Sequence, residues 1–513
     1  MKGSRNLRRI AVAAALAALV LAAVAPASAQ SLADFEKKVT VKTLPNGWTF
    51  IIAERPEAPV FSFSTHVNVG SAQEVPGITG IAHMFEHMAF KGTSVIGTTD
   101  YAQEKVALEK VDKAYAAFDT ERRKLKADPA KVKELQKAWK DAQEDADKFI
   151  RKNEFGEIID RNGGVGLNAG TGADSTVYFY SLPSNKLELW AYLESERFIN
   201  PVFREFYKER DVVKEERRLR TESNPVGRLI EQFVMLAFSA HPYEHPVVGY
   251  MSDLDSFSRE DAQKFYETYY VPSNLVTSVV GDVKASEVLP IIEKYFGRAK
   301  AGSPPPPIRT VEPPQVGEKF IRIPDPAQPF YVEGYHKPAT TDPDAPIYSS
   351  IVDVLSNGRT SRLYRSLVRD KQIAAAAQSF PSFPGDKFPN LFIVFGVPTP
   401  GHSNDEVRDG IRAELDKMKK QDVSAEELAM VKTRAKATLI ESLGSNQGLA
   451  NNLAEYQTTF GDWRELFRAV DKIDKVTAAD IRRVSNQLFT DTNRTVAVVE
   501  TVAPASAGGA AGR

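Results

Sequence analysis

The sequence predicts an α+β protein of two similar domains. Each is a largely antiparallel sheet flanked by helices, and the first carries an inserted antiparallel helical hairpin. Three observations carry this prediction. Strand-like alternation opens each half of the chain, over residues 39–53 and 60–69 in the first and 319–336 in the second. Each half closes with amphipathic helices and a Val-rich strand, at residues 274–279 and 495–499. Between the halves runs AGSPPPPIRTVEPP, residues 301–314, whose four consecutive prolines exclude helix and central strand. The chain has 513 residues, beyond the roughly 250–300 at which single cores stop growing. The boundaries expected are a first domain at 31–300, a linker at 301–315, a second domain at 316–500 and a disordered tail at 501–513.

Composition narrows the function classes. Lys and Arg number 66 against 67 Asp and Glu, a formal net charge of −1, which leaves no broad basic face for nucleic acid. There is no cysteine, so disulfides, thiolate nucleophiles and Cys-based zinc sites are excluded. Lys2, Arg5, Arg8 and Arg9 precede an apolar run from Ile10 to Val24, followed by Ala27-Ser28-Ala29. This is the layout of a secretory signal peptide (residues 1–29), cut after Ala29, and it implies a periplasmic or secreted protein. The run is shorter than the ~20 residues that cross a bilayer, so no stable membrane insertion is expected.

The next informative stretch is Gly80-Ile81-Ala82-His83-Met84-Phe85-Glu86-His87-Met88, which is helix-compatible. On a helix His83, Glu86 and His87 share a face, so both imidazoles can bind one ion with Glu86 beside it. This is the H-x-x-E-H arrangement of inverted zincins. Two neutral imidazoles suit Zn²⁺, and the carboxylate can take a proton from water.

Residues 103–150 read as the inserted hairpin. Leu108, Val111, Tyr115, Phe118 and Leu125 fall on heptad positions, as do Val132, Leu135, Trp139, Ala142, Ala146 and Phe149. Asp128-Pro129 between them reads as an N-cap with proline in the first turn. Further on, Glu209, Val212, Val213 and Glu216 follow i, i+3, i+4, i+7 and form one stripe, with Lys208, Asp211 and Glu215 on the opposite side. Periodicity therefore selects Glu216 over Glu215 as a third metal ligand, and Glu209 as a group that orients a ligand. A second literal H-x-x-E-H, His241 to His245, contains Pro242 and is followed by Pro246, so it reads as a loop lining the cleft. His66, His336 and His402 are isolated. In the second half the helix matching the metal helix runs through Ser350, Asp353 and Val354 and holds no metal.

Taken together these residues resemble the pitrilysin/insulinase family of zinc peptidases, which includes the mitochondrial processing peptidases. The resemblance rests on His83–His87 with Met88-Ala89-Phe90-Lys91-Gly92-Thr93 after it. It extends through Leu167-Asn168-Ala169, Glu209 with Glu216, His241-Pro242-Tyr243 and Ser361-Arg362-Leu363-Tyr364. It implies one Zn²⁺ per chain on His83, His87 and Glu216, with Glu86 as general base and Glu209 in support. It also implies that the strand around Asn168 and Ala169 pairs with the backbone of a peptide substrate. The implied activity is an endopeptidase acting on oligopeptides or unfolded polypeptides, with two chains or chain-halves closing as a clamshell. A non-catalytic scaffold or substrate-binding subunit on the same fold is the alternative.

Two departures stand out. The 128 residues between His87 and Glu216 exceed the family's usual spacing, and the hairpin accounts for the excess. Family members also carry an Arg and a Tyr seven positions apart that bind the substrate carbonyl. Here the Arg aligns as Arg369 but the Tyr position is Ala376, which has no donor. A heterodimer with a metal-free paralogue supplying that Arg/Tyr pair is therefore expected over a homodimer.

Overall fold

The computed structural model describes residues 32–503. The expected signal segment lies outside the described residues, as does the tail from residue 504. The tail does not begin at 501, however. Thr501 ends a strand, and the Val502 amide donates to the Asp325 carbonyl at 3.0 Å.

The first sheet contains β1 (Val39–Thr43), β2 (Thr49–Glu54), β3 (Val60–Val67), β4 (Val165–Thr171), β5 (Thr176–Pro183) and β6 (Leu275–Gly281), in the order β1-β2-β6-β3-β5-β4. The second contains β7 (Lys319–Asp325), β8 (Phe330–Lys337), β9 (Ala374–Phe380), β10 (Asn390–Pro398) and β11 (Arg494–Thr501), in the order β7-β11-β8-β10-β9. Apart from β1 the two orders are the same. In each, the last strand of the half inserts parallel to the first of the shared set, and every other pair is antiparallel. The two halves are thus copies of one topology. The alternation behind β5 is visible in its burial, with Thr176, Tyr178, Tyr180 and Leu182 inward. β6 is buried nearly throughout because both of its faces are covered.

That double cover is reciprocal. Helix Asn446–Phe460, from the second half, lays Leu449, Ala450 and Leu453 on Ile51, Ala53 and Val280 of the first sheet. Helix Pro225–Ala237, from the first half, lays Leu229, Phe233, Val234 and Ala237 on Val332, Leu391, Ile393, Ala497 and Val499 of the second. One hydrophobic face of each sheet is therefore closed by the other half. Residues 300–316 between them form neither helix nor strand. The Glu312 carboxylate pins this stretch by accepting the amides of Ser239, Ala240 and His241 at 2.8–3.0 Å.

The hairpin consists of helices Tyr101–Arg122 and Pro129–Asp147. Asp128 caps the second, accepting the Ala130 amide at 2.9 Å. Leu108, Val111, Tyr115, Phe118, Trp139 and Ala146 are buried, but Leu125 is fully exposed because the first helix ends before it. The hairpin is rooted on helix Phe206–Arg217. Trp139 meets Tyr207 edge-on at 5.1 Å, and Arg210 Nη1 donates to the Tyr115 hydroxyl at 2.9 Å. No helix among the described residues is long and apolar enough to cross a membrane.

Candidate metal centre

Helix Ile81–Met88 begins at Gly80, whose φ of +89° suits glycine alone and whose Cα lies against the Val248–Gly249 backbone. The free amides of the first turn go to Glu74. Its carboxylate, 3% exposed, accepts from Gly80 N at 2.7 Å and Ala82 N at 2.8 Å. Burial pushes the Glu74 carboxyl up, against the pull of these bonds. Asp253 fixes the approach by accepting from Gly77 N, Thr79 N and Thr79 Oγ1. Neither acid carries a periodic signal in the sequence: Glu74 reaches the turn from just upstream through irregular backbone, and Asp253 from far along the chain.

Opposite lies helix Phe206–Arg217. His83 Nε2 is 3.6 Å from Glu216 Oε1, and His87 Nε2 is 3.6 Å from Glu216 Oε2. One donor atom from each of His83, His87 and Glu216 lies within 4.8 Å of the other two. Both 3.6 Å gaps are too long for hydrogen bonds. They are close to the roughly 3.4 Å that separates two ligands of one tetrahedral ion with bonds of about 2.0–2.1 Å. The donor set therefore fits zinc. Glu215 turns away to Arg218. The stripe differs from expectation at one place: Val213 is buried, but Val212 is 49% exposed. The stripe straddles the edge between core and solvent.

Around the ligands, His87 Nδ1 faces Glu209 Oε2 at 3.5 Å, and Glu209 Oε1 is ion-paired with Lys91, which also reaches Glu205 at 3.4 Å. This chain orients the His87 ring. Glu86 Oε2 accepts from Thr171 Oγ1 at 2.8 Å, tying the metal helix to β4. Burial drives His83 down to about 4, so its imidazole is neutral, the form that binds metal. At His87 burial opposes the charged ring, but Glu209, Glu216 and Glu86 outweigh it and the pKa rises. Burial raises Glu86, with Thr171 opposing. Burial works against ionised Glu209, yet His87 and Lys91 hold its pKa low. Lys91, Thr171, Glu74 and Arg220, whose Nη1 lies 2.8 Å from Glu216 Oε1, are participants that sequence reasoning missed. Only Lys91 stood in a recognised block.

Asn168 and Ala169 lie in β4, which pairs only with β5 and leaves its outer edge free among the described residues. Asn168 Oδ1 accepts the amide of Ala169 at 2.9 Å. Arg369 is in the second half, on a wide helical turn at Tyr364–Asp370, exposed and bonded to Asp370 at 2.6 Å. Ala376 lies in β9 opposite Val397. On helix Ala345–Ser356, the counterpart of the metal helix, Asp353 pairs with Arg434 at 3.2 Å. A protein cation there neutralises the acid.

The His241–His245 segment does not line a cleft. It is a short 3₁₀ turn with His241 and His245 buried, at a joint between the halves. Tyr243 donates to Asp174 Oδ1 at 2.6 Å, and Asp174 Oδ2 accepts the amides of Asp386 and Lys387 at 2.7 and 3.1 Å. His241 Nδ1 accepts the Tyr243 amide at 3.1 Å and His245 Nε2 faces Glu244 at 3.6 Å, while His241 Nε2 and His245 Nδ1 are buried without a hydrogen-bond partner among the described residues.

Comparisons with known proteins agree with this geometry. A family model described as insulinase (peptidase family M16) matches residues 49–145, and one described as peptidase M16 inactive domain matches residues 256–435. The chain is 29% identical over 476 residues to the zinc protease PqqE of Helicobacter pylori, covering 91% of this chain and 93% of that one. It is 24% identical to the uncharacterized zinc protease YmxG of Bacillus subtilis, covering 88% and 95%. Among solved structures, a protease from Helicobacter pylori superposes with a TM-score of 0.75 at 28% identity, over 90% of this chain and 99% of that one. The periplasmic protease PqqL from Escherichia coli shares the fold at a TM-score of 0.67 and 18% identity, over 91% of this chain but 48% of that one. The paired histidines of the metal centre, the two matched regions and the shared two-sheet architecture agree: the chain belongs to the insulinase family, peptidase family M16.

Proposed function

We propose that the protein is a zinc-dependent endopeptidase that cuts internal bonds of oligopeptides or unfolded polypeptides outside the cytoplasm. One observation carries the reading: the imidazoles of His83 and His87 and the carboxylate of Glu216 converge with ligand spacing, and Glu86 stands beside them. These three residues would hold one Zn²⁺, with Glu209 and Lys91 orienting His87. A zinc ion there supplies Lewis acidity and lowers the pKa of water. Glu86 takes a proton from the attacking water and returns it to the leaving amine. Its burial and its bond to Thr171 hold the carboxylate in place for both transfers. The substrate adds as a strand to the free edge of β4, near Asn168 and Ala169, through backbone hydrogen bonds.

The chain works in a closed pair. The second half has no donor at Ala376, so a metal-free paralogous chain supplies an Arg/Tyr pair, with Arg369 as this chain's own remnant. The family model described as inactive matches outside His83–Glu216, so it does not weigh against the first half. The test combines metal analysis with Glu86→Gln. Zinc should stay bound in the variant while cleavage of an unstructured peptide falls by about 10² or more. Equal behaviour of wild type and variant, alone and with a paired chain, would leave a non-catalytic binding subunit as the better reading.

A further inference from the structure

With Ala376 in place of a donor, the carbonyl-facing groups on the metal side of the cleft become important. Three arginines stand at the end of the Glu216 helix. Arg217 is buried and bonded to Glu231 and to the Gly249 carbonyl. Arg218 pairs with Glu215 on the outer face. Arg220 alone turns inward: its Nη1 lies 2.8 Å from Glu216 Oε1, the same oxygen that faces His83. Its side chain is nevertheless 75% exposed.

The root of this arm is fixed. Residues Arg218–Glu222 form a wide π turn, a local geometry that recurs at functional sites. The next helix packs so closely on it that a Cβ at Gly227 would stand 2.1 Å from the Arg220 carbonyl oxygen. Leu219 and Val212, on the same side of the helix, are exposed apolar residues that flank Glu216. A braced backbone, an exposed guanidinium and an apolar border therefore meet beside the Glu216 carboxylate.

We propose that Arg220 is a substrate-carbonyl donor of this centre, released from Glu216 when a dication takes that carboxylate. The proposal rests on the peptidase reading above. An exposed ion pair one helical turn apart commonly does little, but here the acid partner is a metal ligand. A dication on Glu216 removes the attraction that holds the guanidinium. Arginine cannot shed its proton, and it presents five N–H donors in a fixed fork. The scissile carbonyl oxygen gains negative charge as the water oxygen bonds to its carbon, and Arg220 donates to it. Arg220 transfers no proton. The water proton goes to Glu86 and then to the nitrogen as the C–N bond breaks.

The experiment compares zinc-loaded wild type, Arg220→Met and Arg220→Lys on an unstructured fluorogenic peptide. For Arg220→Met, kcat should fall about 10²–10³-fold with KM and zinc affinity little changed, and Lys should restore part of it. In a Glu86→Gln background, calorimetry should find a phosphinic peptide bound about 10²-fold more weakly without Arg220, while the uncut parent peptide binds equally. Unchanged kcat in Arg220→Met overturns the proposal. So does a loss of zinc affinity in step with kcat, which would make Arg220 a support for Glu216. Where wild type needs a paired chain for activity, the variants are compared in that pair, and an unchanged kcat for Arg220→Met there overturns the donor role and leaves the peptidase reading standing. Wild type and Glu86→Gln equally inert in every pairing would remove both.

Discussion

The reciprocal cover of the two sheets can be tested at one contact. Phe233, fully buried on helix Pro225–Ala237, points its ring tip at Gly334 in β8. A Cβ at Gly334 would stand 2.6 Å from Phe233 Cζ, inside contact distance. Phe233→Ala removes the ring from an interior with no slack and should destabilise by about 3–5 kcal/mol. Gly334→Ala presses a methyl group into the ring and should cost about 1–3 kcal/mol. In the double variant the missing ring makes room for the methyl group, so its loss should be smaller than the sum by about 1–2 kcal/mol. Urea unfolding followed by far-UV circular dichroism gives all three values, with slopes compared to confirm an unchanged transition. Strictly additive losses would refute the direct contact. A variant in which one half melts first, leaving the other folded, would refute the claim that each sheet depends on the opposite half.

Two further outcomes follow. Lys91→Met removes the cation that orients Glu209 toward His87 and should weaken zinc binding about 10–100-fold in a chelator competition, while Lys91→Arg should keep most of it. His66 is buried in β3 with its pKa lowered to about 4, below an unfolded value of 6.5. The unfolded chain therefore binds the extra proton first, so the stability His66 contributes is present above about pH 6.5 and is lost as the pH falls towards 4. The full loss is about 3 kcal/mol. Denaturation midpoints across that range should drop less steeply in His66→Gln, and an unchanged slope would count against a neutral buried ring.

Much of this was readable from local pattern. His83, Glu86 and His87 sit within one helical turn, and the choice of Glu216 over Glu215 needed only a period of 3.6. Asp128 before Pro129 marked the hairpin's second helix because capping is a two-residue event. What stayed hidden depends on distant surfaces. Val212 fits the Glu209–Glu216 stripe by spacing, yet it is exposed because no neighbouring element among the described residues covers that side of the helix. Leu125 continues a heptad register beyond the point where the helix stops. Thr501 joins β11 through pairing with β7, a strand far away in the chain. Glu74 and Thr171 act through contacts that leave no periodic trace, whereas Arg220 stands one helical turn beyond Glu216 and its spacing alone offered a signal. Proline in the His241–His245 segment excludes a helix and so suggests a cleft loop, but the Tyr243 hydroxyl, which bonds Asp174 and accepts the Phe388 amide of the second half, draws it into the joint.

The exchange of covering helices also bears on how the chain is made and damaged. While residues 32–300 emerge during synthesis, the first sheet waits with an apolar face bare until Leu449 and Leu453 arrive. Conversely, a nick in the proline stretch between Gly302 and Pro314 frees no fragment, because each piece already holds the other's core.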